Sequence, residues 1–133
     1  MTSSTECDQI ADNVRRAMAD WPGYQESDSI IVRDIMGRMI FVGYMLEANY
    51  HWHANIQDGI FYLLKIKLPE ALRGQGLGDH LYRCIEQAAR NCGCFEIRQT
   101  PSGWTKTGET RLSYLLRRGW IEESHEVYKE LGK

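Results

Sequence analysis

Near the start of the chain apolar residues recur at helical spacing: Ile10, Val14, Ala17, Met18 and Trp21 follow Ser3-x-x-Glu6, the side-chain pattern of a capped helix N-terminus. Pro22-Gly23 predicts the stop. From Ser29 the pattern turns to β-branched and aromatic runs. Ile30-Ile31-Val32 and Met39 to Leu46, with Gly37 between them, predict a β-hairpin. The polar stretch Glu47 to Asp58 reads as a loop. It leads to Ile60 to Leu68, apolar at nearly every position and so expected to be a strand buried on both faces.

Pro69 ends that run, and Arg73-Gly74-Gln75-Gly76-Leu77-Gly78 opens directly into a helical pattern. Leu77, Leu81, Ile85, Ala88 and Ala89 form the stripe, and Asn91-Cys92-Gly93 closes it. Cys94 to Thr100 is the next strand candidate. Leu112, Leu115 and Leu116 mark a last helix, with Arg117 and Arg118 in its final turn and Gly119 at the residue after the cap. Trp120 to Leu131 can supply a closing strand or hairpin. A strand–helix–strand passage of this kind predicts a right-handed parallel or near-parallel crossover, hence an α+β or α/β architecture with a mixed sheet. The 133 residues contain no repeat or linker and fit one domain.

Glycines at 74, 76 and 78 between a strand and a helix start let the backbone approach a ligand and present N–H groups outward, which suits phosphate. The turn lacks the Gly-Lys-Ser/Thr of a Walker loop, and its spacing fails the Gly-x-Gly-x-x-Gly dinucleotide pattern. Arg73-x-x-Gly76-x-Gly78 resembles the pyrophosphate-binding signature of the GNAT superfamily of acyl-CoA N-acyltransferases. The surroundings are similar too, over residues 29 to 130. Phe41 to Tyr44 looks like the family's third strand, Ile60 to Leu68 its fourth, Cys94 to Thr100 its fifth, and Leu112 to Trp120 its fourth helix. The resemblance implies a GNAT-type mixed, mostly antiparallel sheet with flanking helices, and an N-acetyltransferase using acetyl-CoA. By it, Arg73, Gly74, Gln75, Gly76, Leu77 and Gly78 hold the coenzyme A pyrophosphate, and the backbone of Ile66, Lys67 and Leu68 pairs with the pantetheine arm. The single domain, 1-133, then has a shortened N-terminal part, residues 1-28, read as one helix.

Amine acylation needs a neutral amine, a polarised thioester carbonyl and a proton for the leaving thiolate. Glu96 resembles the base position of ribosomal-protein N-terminal acetyltransferases in this superfamily; the other reading is a strand carboxylate paired with Arg98. Tyr114 is the candidate acid, one residue before the position where the family places its tyrosine, which here is Leu115. A core tyrosine is the competing reading. Tyr62, placed by alternation on one face with Leu64, Ile66 and Leu68, lines the acyl end or fills the core. His51 and His53 fall on one side if the backbone is extended, as a substrate-lining pair or part of an exposed loop. Trp104 is a further candidate at the cofactor's border. Cys84, Cys92, Cys94 and His80 match no zinc spacing, and no metal is expected.

Charge refines the choice of substrate. Sixteen basic and eighteen acidic residues argue against general nucleic-acid binding, but residues 1 to 66 carry a net −4 and residues 67 to 133 a net +2. An acidic first half suits a cationic amine. No apolar run approaches the ~18 residues of a membrane span and the start lacks signal-peptide character, so a cytoplasmic protein with reduced cysteines is expected. Nothing in the pattern decides against a homo-oligomer. A non-catalytic coenzyme A sensor or protein-interaction module on the same fold is the alternative function.

Overall fold

The computed structural model describes residues 4–47, 49–67, 77–102 and 108–132. Helix α1 spans Ser4–Met18. Its expected stripe is its buried face, with Ile10, Val14, Ala17 and Met18 in the core and Trp21 packed just beyond the helix end. Strands β1 (Ser29–Ile35) and β2 (Met39–Leu46) form the predicted hairpin. Met36 and Gly37 both hold positive φ at its turn, 59° and 71°, the twist that tight hairpins require.

The polar stretch expected to be a loop is strand β3 (Asn49–Gln57), antiparallel to β2. Trp52 and Ala54 are fully buried and Ile56 packs on the core, so an alternating apolar set underlies the polar sequence. Phe41 to Tyr44 therefore lies in the second strand of the sheet, and β3 is the third. Strand β4 (Ile60–Ile66) follows, antiparallel to β3. It is not buried on both faces: Phe61 and Leu63 are buried, whereas Leu64 and Lys65 are exposed. The register explains this. His53 pairs with Lys65 and Ala54 with Leu63, so Leu64 is an inserted bulge residue. The bulge reverses the alternation, placing Ile66 opposite buried Trp52 and leaving Tyr62, opposite Asn55, on the other face. The expectation that Tyr62 and Ile66 share a face fails for that reason.

Helix α2 (Leu77–Asn91) carries the chain across to strand β5 (Glu96–Gln99), which pairs parallel to β4 as the crossover rule requires. Gly93, with φ 83°, makes the exit from α2. Helix α3 (Arg111–Arg117) is capped by the Thr110 hydroxyl, which accepts from Ser113 N–H, and leaves through Gly119 at φ 92°. Strands β6 (Ile121–Glu123) and β7 (Glu126–Glu130) form the closing hairpin. The seven strands lie in the order β1-β2-β3-β4-β5-β7-β6, a mixed and mostly antiparallel sheet of α+β class. Among the described strands only the β4–β5 pair is parallel.

The core lies between one face of this sheet and the helices. Val14, Met18 and Trp21 meet Leu81, Ile85 and Ala88 over Val42, Trp52, Phe61 and Ile97. Burial of this apolar area, at about 25 cal/mol per Å², is the main term holding the layers together. Helix α3 joins through Tyr114, whose ring meets Tyr82 of α2 at 6.1 Å, and through buried Leu115. Among the described residues no helix is long and apolar enough to cross a membrane.

Candidate active site

The pairing of β4 with β5 ends before β4 does. Their last paired residues are Leu63 and Gln99, yet β4 remains bonded to β3 beyond that point, through Trp52 opposite Ile66 and through Lys67 N–H donating to the His51 carbonyl at 2.7 Å. Successive strand residues turn their backbone groups to opposite sides. Lys67 therefore faces β3, and the N–H and C=O of Ile66 face the side from which β5 has withdrawn. Of the three residues expected to pair with a pantetheine arm, Ile66 turns its backbone groups away from β3, Lys67 donates to the His51 carbonyl, and Leu68 lies outside the described residues. The bulge at Leu64 bends β4 at the place where the two strands part.

Helix α2 begins just beyond. Its first residues, Leu77 and Gly78, close the glycine-rich segment; Arg73, Gly74, Gln75 and Gly76 lie outside the described residues, as does Trp104. Among the described residues, a Cβ built on Gly78 would meet nothing within 4 Å. Unpaired N–H groups and the positive end of the helix dipole make such a start favourable to an anion. Asp79 stands in this first turn. Its carboxylate accepts from the Tyr114 hydroxyl and pairs with Arg118 Nη2 at 2.6 Å, and the Arg118 guanidinium lies 4.6 Å from the centre of the Tyr114 ring. The structure thus brings Tyr114 to the α2 start. Burial and the neighbouring Asp79 push its hydroxyl above the usual tyrosine range.

Glu96 is elsewhere. It pairs with Ile60, six residues before Ile66 and about 20 Å away at the strand rise of ~3.3 Å. Its carboxylate accepts from Arg98 Nε at 2.8 Å, and Arg98 Nη1 also reaches Glu123 and Glu126 at 3.0 and 3.2 Å. The reading of Glu96 as a strand carboxylate paired with Arg98 describes the contacts seen. Glu96 and Tyr114 are not brought together.

A buried polar cluster that the sequence did not reveal lies behind the open end. Asp28, in the link between α1 and β1, has a fully buried side chain. Its Oδ2 accepts from the Tyr44 hydroxyl and from Gln25 N–H, the latter at 3.1 Å, while Oδ1 stands 3.7 Å from His51 Nε2 with no hydrogen bond to either atom. His51 reaches this place because it is a bulge residue: Tyr44 pairs with Trp52 and Met45 with Tyr50, leaving His51 as the extra one. Its ring lies 5.1 Å from Tyr44 and 5.6 Å from Trp21. His53 faces the opposite side of the sheet, against Phe41 and Tyr50. The two imidazoles expected on one side are parted by that one inserted residue. Burial lowers the pKa of both, partly offset at His51 by Asp28 and reinforced at His53 by Lys65. The signal available in sequence was weak, since only the alternation of Trp52, Ala54 and Ile56 marks β3.

Trp21 links the cluster to α2. Its indole N–H donates to the Leu77 carbonyl at 3.0 Å across 56 residues of chain. Gly23 permits this packing, for a Cβ there would strike the Trp21 ring at 2.5 Å. The thiols nearby are inert by burial, which pushes Cys84 and Cys92 up to about 11 and Cys94 to about 12.

No protein-family profile and no curated protein matches the chain. Several solved structures are similar to it. One is a Desulfovibrio desulfuricans protein assigned to the GNAT acetyltransferases, 20% identical, with 71% of each chain covered and a TM-score of 0.48. The E. coli protein YhhK, assigned as an N-acetyltransferase and bound to coenzyme A, is 18% identical over 98% of this chain and 92% of its own, at a TM-score of 0.47. Ard1 from Thermoplasma volcanium is 10% identical over 99% and 95%, at 0.49.

Proposed function

We propose that this protein is a GNAT-type N-acetyltransferase that takes acetyl-CoA and transfers its acetyl group to an amine. The observation that carries the reading is the parting of β4 and β5 directly before the start of α2. A pantetheine amide laid along Ile66 would replace the missing β5 neighbour, and the pyrophosphate would rest on residues Arg73 to Gly78 at the helix start. The neutral amine nitrogen attacks the thioester carbonyl, the tetrahedral intermediate collapses with cleavage of the C–S bond, the coenzyme thiolate takes its proton from Tyr114, and the proton lost by the nitrogen returns to that tyrosine through solvent. A backbone N–H at the end of β4 polarises the carbonyl. Tyr114 is the proton donor of this reading, since its hydroxyl stands at the α2 start; the proton it gives to the thiolate must first leave Asp79. Glu96 holds the framework, because its position and its Arg98 partner keep it from the reacting atoms. The net −4 of the first half favours a cationic amine acceptor.

The commitment of the Tyr114 proton to Asp79 favours a second reading, coenzyme A binding without chemistry. Two measurements separate them. Acetyl-CoA is expected to raise the melting temperature, as any ligand of the native state does. Thiol release with a panel of neutral and cationic amines is then expected, and Tyr114→Phe should lower its rate by about tenfold or more. A melting shift with no thiol release for any amine establishes the binding module instead, and no shift at all removes the coenzyme from both readings.

A further inference from the structure

Tyr114 is held from both helices that pack around it. On α2, the Asp79 carboxylate accepts its hydroxyl proton, and the Tyr82 ring lies 6.1 Å from its own, with the Tyr82 hydroxyl accepting from Arg111 Nη1 at 3.2 Å. On α3 and its C-cap stand two guanidinium groups, Arg118 at 4.6 Å from the centre of the Tyr114 ring and Arg117 at 5.9 Å. The two arginines are not equivalent. Arg118 Nη2 also pairs with Asp79 at 2.6 Å, so one cation meets both the ring and the carboxylate that holds the hydroxyl. Arg117 is tied instead to Glu109, through Nη2 at 2.7 Å and Nε at 3.1 Å, and its side chain is 59% exposed against 37% for Arg118.

A tyrosine in this setting meets a charge problem when it acts as an acid. As its O–H bond breaks and the proton passes to the coenzyme thiolate, its oxygen becomes a phenolate beside the Asp79 carboxylate. Two adjacent anions repel, and partial burial strengthens the repulsion. Burial and Asp79 already hold the hydroxyl above the usual tyrosine range, while Arg118 acts in the opposite direction. A cation that is in place before the charge develops lowers such a barrier without reorganisation. Its position over the ring adds to the effect, because a cation is attracted to an aromatic face and phenolate charge spreads into the ring.

We propose that Arg118 is the positioning residue that lets Tyr114 donate its proton: it neutralises Asp79, holds the ring, and offsets the phenolate formed when the thiolate is protonated. The proposal rests on the acetyltransferase reading above. The proton that leaves Tyr114 is replaced through solvent by the one the amine loses, so the Asp79–Arg118 pair is the same at the end of a turnover as at its start. In the sequence Arg118 stood out only as a cation suited to the end of a helix, a role it shares with Arg117. The bond to Asp79 separates the two.

The test measures thiol release from acetyl-CoA with an amine substrate, resolved into kcat and the KM for acetyl-CoA. Arg118→Met, which keeps the stem and removes the charge, is expected to lower kcat about fivefold with KM within about twofold of wild type. Arg118→Lys should regain part of that loss, and Arg117→Met should leave kcat unchanged. Two double variants separate a role through Tyr114 from a merely structural one. Adding Asp79→Asn to Arg118→Met should bring kcat back to within about twofold of wild type, since without the carboxylate there is less charge to offset. Adding Arg118→Met to Tyr114→Phe should lower kcat no further. Should Arg118→Met fail to fold, Arg118→Gln takes its place in each comparison. An unchanged kcat in Arg118→Met, a raised KM at unchanged kcat, no recovery with Asp79→Asn, or a further loss in the Tyr114→Phe background overturns the proposal. Wild-type protein that releases no thiol with any amine overturns instead the reading on which it rests.

Discussion

At its start the β4–β5 pair is closed: Phe95 N–H donates to Gly59 and Leu131 N–H to Phe95, and Arg98 gathers Glu96, Glu123 and Glu126. At its other end β5 withdraws, the backbone of Ile66 is left without a β5 neighbour, and the polar groups behind it are only partly matched. Asp28 Oδ1 and His51 Nε2 sit 3.7 Å apart without a hydrogen bond. Both ends hold a carboxylate facing a side-chain nitrogen, Glu96 with Arg98 and Asp28 with His51. The closed end pairs its polar groups with each other, while at the open end, among the described residues, two buried side-chain atoms have no hydrogen-bond partner.

Filling the open end should show the largest effect. Gly78→Trp places a ring where, among the described residues, a Cβ meets no neighbour within 4 Å, so the fold should survive with its melting temperature little changed. Coenzyme A affinity should fall by about 100-fold or more, ~2.7 kcal/mol, as measured by the ligand-induced melting shift. Full retention of the shift would break the comparison at its open end.

The closed end should answer in stability instead. Arg98→Ala leaves the largely buried Glu96 carboxylate beside two more carboxylates, and should cost about 2 kcal/mol in a denaturant titration with coenzyme A affinity within about twofold. Glu96→Gln should change the thiol-release rate by less than about threefold. A loss of one or two decades in that rate with the fold intact would return Glu96 to the chemistry.

The smallest expected effect is a pH slope. Burial lowers the pKa of His51 and His53 below the ordinary value of about 6.5. On acidification the unfolded chain takes up these protons first, so it binds more of them than the native state. The histidine contribution to stability is therefore full above about 6.5 and is lost as pH falls through the folded values. Melting temperatures between pH 7.5 and 5.5 should decline, and His51→Gln should flatten the slope.

How much of this was legible depended on whether one stretch of chain carried the signal. The stripe of α2, the hairpin turn at Gly37 and the strand–helix–strand passage repeat within a few residues, and each was read from spacing. Strand β3 was not, since Asn49, Tyr50, His51 and Asn55 mask the alternation of Trp52, Ala54 and Ile56, and the extra residue at His51 interrupts it. Tyr62 and Ile66 were put on one face for a similar reason: the pattern of β4 gives no hint that Leu64 is inserted. The place of Glu96 depends on its parallel register with Ile60, a relation between segments 36 residues apart.

By itself the sequence determined the helices, the first hairpin and the parallel crossover, because these follow from local spacing and backbone freedom. The tertiary structure decided where β4 and β5 part, which faces His51 and His53 occupy, that Tyr114 meets Asp79, and that Trp21 reaches Leu77. Each of those is set by a bulge or by packing between distant segments, and one inserted residue is enough to turn every later side chain of a strand to the other side.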